Sequence, residues 1–311
     1  MANLGEGSFF KPHVDTPRSE KMFGSLVLVF PTPHEGGALL VQHHGQEWSF
    51  DSAAALAIAL PSSIGYAAFF SDIEHEFTPI VSGHHVTLTY NLYFDDNGRA
   101  PAGDLVPELA SPPWVTNEGV FRAAFEALLA NPEFLPDGGT LGFGLRHVYQ
   151  IEGRLEHVYG LLKGSDGAVY RALRALGFEP GLYLFYEVKR KWSDTVDAGL
   201  IDRVVDFEGG GQIEDLIRML RYHGGIIVRP LDCKSDAEFQ AQTVHWITPV
   251  TTFNRQSSAY LAYGNEASLG LAYGDVCLIV HIGKVGERLA YPTLEQLRKE
   301  WKGEWNKYRY Y

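Results

Sequence analysis

The sequence predicts a mixed β and α+β protein, in which an N-terminal antiparallel sandwich or jelly roll is followed by an α+β region. Three observations support this fold class. Short apolar runs separated by turn residues fill residues 8–94, a proline-rich seam covers 95–118, and helical periodicity begins only after this seam. Many short strands with turns between them are typical of sandwiches and jelly rolls. We therefore expect a β domain at 1–94, a linker at 95–118 and an α+β region at 119–311.

Strand signals follow one another closely in the N-terminal region. Residues 25–30 form an apolar run that ends at Pro31 and Pro33, which suits a buried strand. A turn at His43, His44 and Gly45 separates two strand-like segments, as in a hairpin. The predicted strands are 25–30, 38–42, 46–50, 56–60, 66–70 and 86–94.

After residue 118 the chain alternates between helix and strand signals. Apolar residues recur near a 3.6-residue period across 118–130, and Gly177 follows a second helical segment in the manner of a C-cap glycine. The predicted helices are 118–130, 169–176 and 213–221, and the predicted strands are 182–188, 226–229, 243–247 and 276–282.

The composition permits a large core and argues against two classes of partner. Of the 311 residues, 45% are hydrophobic, and the formal net charge is -12. Because proteins that track nucleic-acid phosphates usually carry a basic stripe, we expect no nucleic-acid partner. No apolar run reaches the roughly 18 residues that a spanning helix needs, so we also expect no membrane partner.

The start of the chain and the cysteine content bear on the compartment. Residues 1–7 have neither a basic start nor an apolar run, so they do not resemble a secretory leader. Cys233 and Cys277 are the only cysteines, too few for a disulfide scaffold. A single disulfide between them remains an alternative. We expect a cytoplasmic or nuclear protein that is not secreted.

Two short segments supply residue types that bind metals. His13 and Asp15 are separated by one residue, and a bend at the end of a strand lets both side chains converge on one ion. His75 stands about 60 residues later, before a β-rich run. Two imidazoles and one carboxylate with open opposite positions are the ligands of non-haem Fe(II) oxygenases. The alternative for each residue is a solvated side chain without a chemical role.

Three patterns surround these residues in a fixed order. Residues 7–15 fit G-x-x-[FY]-x-x-H-x-D, residues 35–39 fit E-G-G-x-L, and residues 75–83 fit H-x-[VF]-x-x-[VI]-x-x-G. In this order and spacing, residues 4–94 resemble the prolyl-4-hydroxylase-type branch of the Fe(II)/2-oxoglutarate-dependent dioxygenases. Within that branch the chain is most similar to fungal members that are described only by their domain.

The resemblance implies both a fold and an activity. Residues 1–94 would form a double-stranded β-helix (a jelly roll), in which His13, Asp15 and His75 are the catalytic residues that hold Fe(II). The reaction would consume 2-oxoglutarate and O2, release succinate and CO2, and hydroxylate a C–H bond of a protein residue or a small molecule. Ascorbate is a further cofactor that the resemblance allows.

Two positions depart from the family pattern, and both concern 2-oxoglutarate. The family usually has an arginine ten positions after the second histidine, where this chain has His85. Strand alternation places His85, Thr87 and Thr89 on one face, and we expect His85 and Thr87 to bind the distal carboxylate of 2-oxoglutarate weakly. A tyrosine common in the family nine positions before the first histidine is Leu4 here. The chain is therefore either truncated at its start or a reduced variant.

Two other functions remain open. One is a catalytically impaired jelly-roll protein that binds a partner, which Leu4 and His85 favour. The other is a cupin-like dioxygenase that does not use 2-oxoglutarate. Cupins normally have more histidine ligands, so the carboxylate of Asp15 weighs against this second alternative.

Overall fold

Strands dominate the structure of this chain and helices are few. The computed structural model describes residues 2–43, 45–59, 63–94, 113–151, 155–189, 196–205, 220, 223–229, 242–263 and 267–291. These residues belong to two compact units, Met1–Val106 and Pro107–Tyr311. Among the described helices, none combines the length and the apolarity that crossing a membrane requires. The β-rich class predicted from the sequence is confirmed.

The described part of the first unit contains short strands and one short helix, α1 (Ser52–Ala57). Its strands are β1 (Ala2–Leu4), β2 (Phe10–His13), β3 (Met22–Val29), β4 (His34–Gly36), β5 (Leu39–His43), β6 (Gln46–Phe50), β7 (Gly65–Phe70), β8 (Glu74–Phe77), β9 (Ile80–Gly83) and β10 (His85–Tyr93). The strands predicted at 25–30, 38–42, 46–50, 66–70 and 86–94 are confirmed.

These ten strands form two four-stranded sheets and a two-stranded ladder. One sheet has the order β1-β10-β3-β7, the other has the order β2-β8-β5-β6, and β4 pairs with β9. All of these pairs are antiparallel. The hairpin expected around Gly45 is the β5–β6 pair, in which Val41 lies opposite Trp48.

The predicted strand at 56–60 is wrong, because most of this apolar stretch lies in or directly after α1. Asp51 caps the helix: its Oδ1 accepts a hydrogen bond from the Ala54 amide at 3.0 Å. The segment that follows is rich in alanine, the residue with the highest helix propensity. The cap decides the structure here, whereas the apolar run alone does not distinguish a short helix from a strand.

The inner faces of the two sheets contact each other through aromatic rings. Phe69 of β7 lies 4.4 Å from His75 of β8, and Phe77 of β8 lies 5.4 Å from His85 of β10, both between ring centroids. The intervening residue of β8, Glu76, points to the opposite face, as strand alternation requires. This antiparallel packing agrees with the expected sandwich, and the double-stranded β-helix remains a prediction.

The glycines of the E-G-G-x-L pattern allow the chain to pass close to β9. Gly36 and Gly37 have positive φ angles of 76° and 70°, which residues with a Cβ rarely adopt. A Cβ on Gly36 would lie 2.3 Å from the Pro79 oxygen, and one on Gly37 would lie 2.3 Å from Cδ1 of Ile80. Both the backbone angle and the lack of space therefore require glycine at these positions.

The second unit contains a seven-stranded mixed sheet and helices. Its sheet has the order β11-β15-β14-β13-β12-β17-β16, and β11 also pairs with β17. The elements are α2 (Pro113–Ala130), β11 (Gly139–Gly144), a 3₁₀ helix (Leu155–Leu161), α3 (Gly164–Ala175), β12 (Gly181–Lys189), β13 (Val196–Ile201), β14 (Ile226–Arg229), β15 (Gln242–Thr248), β16 (Arg255–Tyr263) and β17 (Ala267–Ile282).

The α+β prediction for this region agrees with these elements. The strands at 182–188, 226–229, 243–247 and 276–282 and the helices at 118–130 and 169–176 are confirmed. Helix α2 begins at Pro113, so residues 113–118 are helical. The helix predicted at 213–221 falls on residues that are not described except for Leu220, and Cys233 is also outside the described residues. Strands β11, β13 and β16 were not predicted.

Candidate metal centre

His13 and His75 are direct neighbours across two strands. They are opposite residues in the antiparallel ladder between β2 and β8, and their ring centroids are 4.3 Å apart. Opposite residues in such a ladder project from the same face, so the pairing alone brings the two imidazoles together. The segment before β2 is held in place by hydrogen bonds from the Gly7 amide to the Ile80 oxygen and from the Ile80 amide to the Ser8 oxygen.

Asp15 completes the group from the loop that follows β2. Its Oδ2 accepts a hydrogen bond of 2.5 Å from the Ser25 hydroxyl of β3, in the other sheet. Its Oδ1 lies 3.9 Å from Nε2 of His75. One possible ligand atom from each of His13, Asp15 and His75 lies within 4.8 Å of the other two. The structure therefore brings together the three residues that the sequence singles out as metal ligands.

Backbone carbonyl groups set the tautomer of both imidazoles. Nδ1 of His13 lies 2.8 Å from the Lys11 oxygen, and Nδ1 of His75 lies 3.1 Å from the Ile73 oxygen. A carbonyl oxygen only accepts hydrogen bonds, so each Nδ1 carries the proton and each neutral ring keeps its lone pair on Nε2. Histidines that bind metals in proteins almost always donate their other N–H in this way.

Burial favours the neutral form of His75. Its side chain is 7% exposed, and this burial lowers the pKa of His75, although the hydrogen bond to Ile73 and the charge of Asp15 oppose the shift. A histidine must be neutral to bind a metal ion, so the environment prepares His75 as a ligand. His13 is exposed, which leaves one side of the group accessible from solvent.

The donor atoms fit a divalent transition metal. Two neutral imidazole nitrogens and one carboxylate oxygen, held by hydrogen bonds to Lys11, Ile73 and Ser25, match the donor set of non-haem Fe(II) sites. The group can therefore hold a metal ion such as Fe(II).

The residues predicted to bind 2-oxoglutarate lie on the inner face of β10. His85 is 0% exposed and Thr87 is 4% exposed, as the predicted alternation requires, whereas Thr89 is exposed. In the neighbouring strand β1, Leu4 lies opposite His85 and Ala2 lies opposite Thr87. A role of His85 and Thr87 in cosubstrate binding stays a prediction.

His85 has polar neighbours, and its own imidazole is neutral near pH 7. Its ring lies 4.7 Å from that of His34, and its Nε2 lies 3.4 Å from the Ser52 hydroxyl. Burial, together with His34, lowers the pKa of His85 to about 4. A neutral imidazole cannot replace the permanently charged fork of an arginine. His34, Ser52 and His85 therefore fit the distal carboxylate of 2-oxoglutarate poorly.

A row of residues extends from the metal centre across the second sheet. His75 lies opposite Val41 of β5, and Val41 lies opposite Trp48 of β6. His13, His75, Val41 and Trp48 therefore project from the same face of the sheet. Trp48 is 51% exposed, two strands from His75 and thus about 10 Å away. This position suits contact with a substrate that reaches the metal.

Sequence reasoning missed several residues at this site. Trp48 carries a signal, because polar and apolar residues alternate from Glu47 to Phe50. Ser25, His34 and Ser52 carry none, since each is identified only by a contact with a residue that is distant in the chain.

Comparisons with known proteins give weak structural similarity. No family model matches the chain, and no curated protein matches it. Among solved structures, a prolyl-4-hydroxylase from Pseudomonas putida shares 19% sequence identity, with a TM-score of 0.23 over 30% of this chain and 49% of the other. The chain thus spans about half the length of this neighbour.

Proposed function

We propose that this chain is a non-haem Fe(II)-dependent dioxygenase that couples the oxidative decarboxylation of a 2-oxo acid to the hydroxylation of a C–H bond. The sequence resemblance indicates 2-oxoglutarate as the 2-oxo acid, with succinate and CO2 as products. The substrate class is a protein residue or a small molecule. The observation that carries this proposal is the convergence of His13, Asp15 and His75 with both Nε2 lone pairs free.

Each protein group has a defined task in this proposal. His13, Asp15 and His75 would hold the ion, and the hydrogen bond from Ser25 orients the carboxylate of Asp15. When bound, Fe(II) supplies the activation of O2, and its remaining coordination positions accept small ligands. Phe69 covers the buried side of His75, which excludes water there, while the exposed side at His13 admits the substrate.

We also propose that the two four-stranded sheets of the first unit form a double-stranded β-helix. The antiparallel pairing within each sheet and the contacts between their inner faces support this arrangement. The proposed metal ligands would lie between the two sheets, because His75 belongs to one sheet and Asp15 is hydrogen-bonded to Ser25 of the other. This is where a jelly roll encloses its ligands.

The test is anaerobic loading of the full chain with Fe(II), followed by addition of several 2-oxo acids. Chelation of iron by a 2-oxo acid produces a weak visible charge-transfer band, and admission of O2 should then release CO2. We expect both signals with the native protein and neither with the His75→Ala variant. A native protein that binds Fe(II) but gives neither signal with any 2-oxo acid contradicts the proposed function.

The rival function is a protein that keeps the fold but has lost catalysis. Its support is that Leu4 and His85, which lie opposite each other, stand where the family pattern has a tyrosine and an arginine. This rival predicts Fe(II) binding without release of CO2 from any 2-oxo acid, so the same experiment separates the two functions.

A further inference from the structure

A buried polar cluster lies where three elements of the first unit meet. It consists of His34 in β4, Ser52 at the start of α1, and His85 in β10. The Ser52 hydroxyl lies 3.3 Å from Nε2 of His34 and 3.4 Å from Nε2 of His85. Ser52 and His85 are 2% and 0% exposed and are therefore shielded from bulk water, whereas His34 is half-buried.

One atom of this cluster has no partner among the described residues. Nδ1 of His85 is buried and makes no hydrogen bond there. Buried polar atoms in native proteins are almost always satisfied by protein, ordered water or a ligand. The unsatisfied nitrogen therefore indicates that a further polar group belongs beside it.

Gly37 lies beside this edge of His85. A Cβ at this position would lie 3.4 Å from Nδ1 of His85 and 3.6 Å from its Cγ, and also 2.3 Å from Cδ1 of Ile80. Because Gly37 has no side chain, it places no side-chain atom against Nδ1 of His85. The cosubstrate position predicted at His85 and Thr87 lies on the same face of β10.

The direction of the hydrogen bonds determines what this group must be. Nδ1 of His34 lies 2.7 Å from the Thr32 oxygen and therefore donates to it, which leaves a lone pair on Nε2 of a neutral His34. The Ser52 hydroxyl then donates to His34 and accepts from Nε2–H of His85. Consequently Nδ1 of His85 carries a lone pair, and its missing partner is a hydrogen-bond donor.

We propose that the Nδ1 edge of His85 binds the uncharged, donor-bearing end of a 2-oxo acid, such as a carboxamide or a hydroxyl group, in place of a carboxylate. The inference rests on the proposed function and specifies its cosubstrate. A carboxylate would place its lone pairs against the lone pair of His85. Accepting it would require the proton of His85 to move to Nδ1 and the Ser52 hydroxyl to donate to Nε2 of His85, which leaves Nε2 of a neutral His34 without the Ser52 donor. The low pKa of His85 supports the neutral ring that this proposal uses.

A pair of isosteric probes tests the proposal in the unmodified protein. 2-Oxoglutarate and its distal monoamide have the same length and differ at the far end only in charge and in hydrogen-bond donors. Their dissociation constants are measured on the anaerobic Fe(II)-loaded full chain near neutral pH, from the charge-transfer band. We expect the amide to bind at least about tenfold more tightly than 2-oxoglutarate. The reason is that 2-oxoglutarate would leave the buried Nδ1 of His85 without a hydrogen-bond donor, and an unpaired buried polar group usually costs this much.

The outcomes separate the inference from the proposed function. If 2-oxoglutarate binds as tightly as the amide or more tightly, the uncharged end is wrong and the 2-oxo acid chemistry stands. If neither probe nor any other 2-oxo acid binds the iron-loaded protein, both are wrong.

Two variants locate the effect at His85. His85→Arg should reverse the preference in favour of 2-oxoglutarate, and Ser52→Ala should reduce the preference because it frees His85 to change its tautomer. The matched control is His84→Arg, which adds the same charge at an exposed neighbouring position and should leave the preference unchanged. A folded His85→Arg or Ser52→Ala variant with the native preference contradicts the assignment.

Discussion

Leu4 and His85 lie directly opposite each other in the ladder between β1 and β10. They are also the two positions at which this chain departs from the family pattern that the sequence resembles. The two departures are therefore neighbours in space, although 81 positions separate them in the sequence. A phenol and a guanidinium are expected there, and an aliphatic side chain and a neutral imidazole are present.

This pairing predicts that Leu4→Tyr and His85→Arg act together on 2-oxoglutarate binding. Opposite residues in a ladder interact, so the gain in the double variant should exceed the sum of the single gains, with a coupling of about 1 kcal/mol. The measurement is a double-mutant cycle on the dissociation constant of 2-oxoglutarate. The control is Asn3→Tyr, at an exposed neighbouring position. If the effects of the two substitutions on 2-oxoglutarate binding are strictly additive, with no coupling between them, the two positions do not share a binding site.

The hydrogen bond between Ser25 and Asp15 predicts an effect on metal affinity. Ser25→Ala removes the donor that orients Oδ2 of Asp15, and loss of such an outer contact usually lowers metal affinity by about 10- to 100-fold. The variant should keep its fold, because only one hydroxyl is removed. Fe(II) affinity is measured beside Ser49→Ala, an exposed serine of β6. Equal affinities for both variants and the native chain would mean that Ser25 does not orient the ligand.

The low pKa of His85 predicts a loss of stability in mild acid. The unfolded chain takes up a proton at His85 as the pH falls below about 6.5, whereas the folded chain does so only near 4. The free energy of unfolding should therefore decrease as the pH falls from 6.5 to 4, and His85 should contribute about 3 kcal/mol of this decrease.

Urea unfolding between pH 4 and pH 7 measures this dependence. Burial also lowers the pKa of His75 and His281, so the native chain loses stability from several histidines. The difference in slope between the native chain and His85→Asn isolates the part that belongs to His85. Identical slopes would indicate that folding does not lower the pKa of His85.

The position of Trp48 predicts a role in substrate binding that is separate from the metal. Trp48→Ala should raise KM for the substrate by about tenfold, because a large aromatic contact surface is lost, and should leave Fe(II) affinity unchanged. Glu47→Ala is the control, since Glu47 projects from the opposite face of β6. A variant with native KM would place the substrate elsewhere.

The sequence is sufficient to select the three residues proposed as metal ligands but not to show how they meet. The spacing of His13 and Asp15 and the strand after His75 carry the chemical signal. The pairing of His13 with His75 depends on the register between β2 and β8, which no local pattern specifies. The order of the strands in the sheets is likewise a property of the whole chain.

Other parts of the structure depend on contacts that only folding creates. The neutral state of His85 results from burial and from His34, which precedes it by 51 positions. The sequence does not predict strand β11, because its glycines are unfavourable in strands, yet β11 pairs on both sides in the seven-stranded sheet of the second unit. The apolar run predicts a strand where α1 ends, although the capping residue Asp51 is visible in the sequence.

We propose that His13, Asp15 and His75 together bind one metal ion. The most direct test is anaerobic Fe(II) binding to the native chain and to His13→Ala, Asp15→Ala and His75→Ala, with His84→Ala as a control for loss of an exposed histidine. We expect about one iron per native chain, native binding by the control, and an affinity at least about 100-fold lower in each of the three folded variants. Native Fe(II) affinity in any one of these three would contradict this proposal.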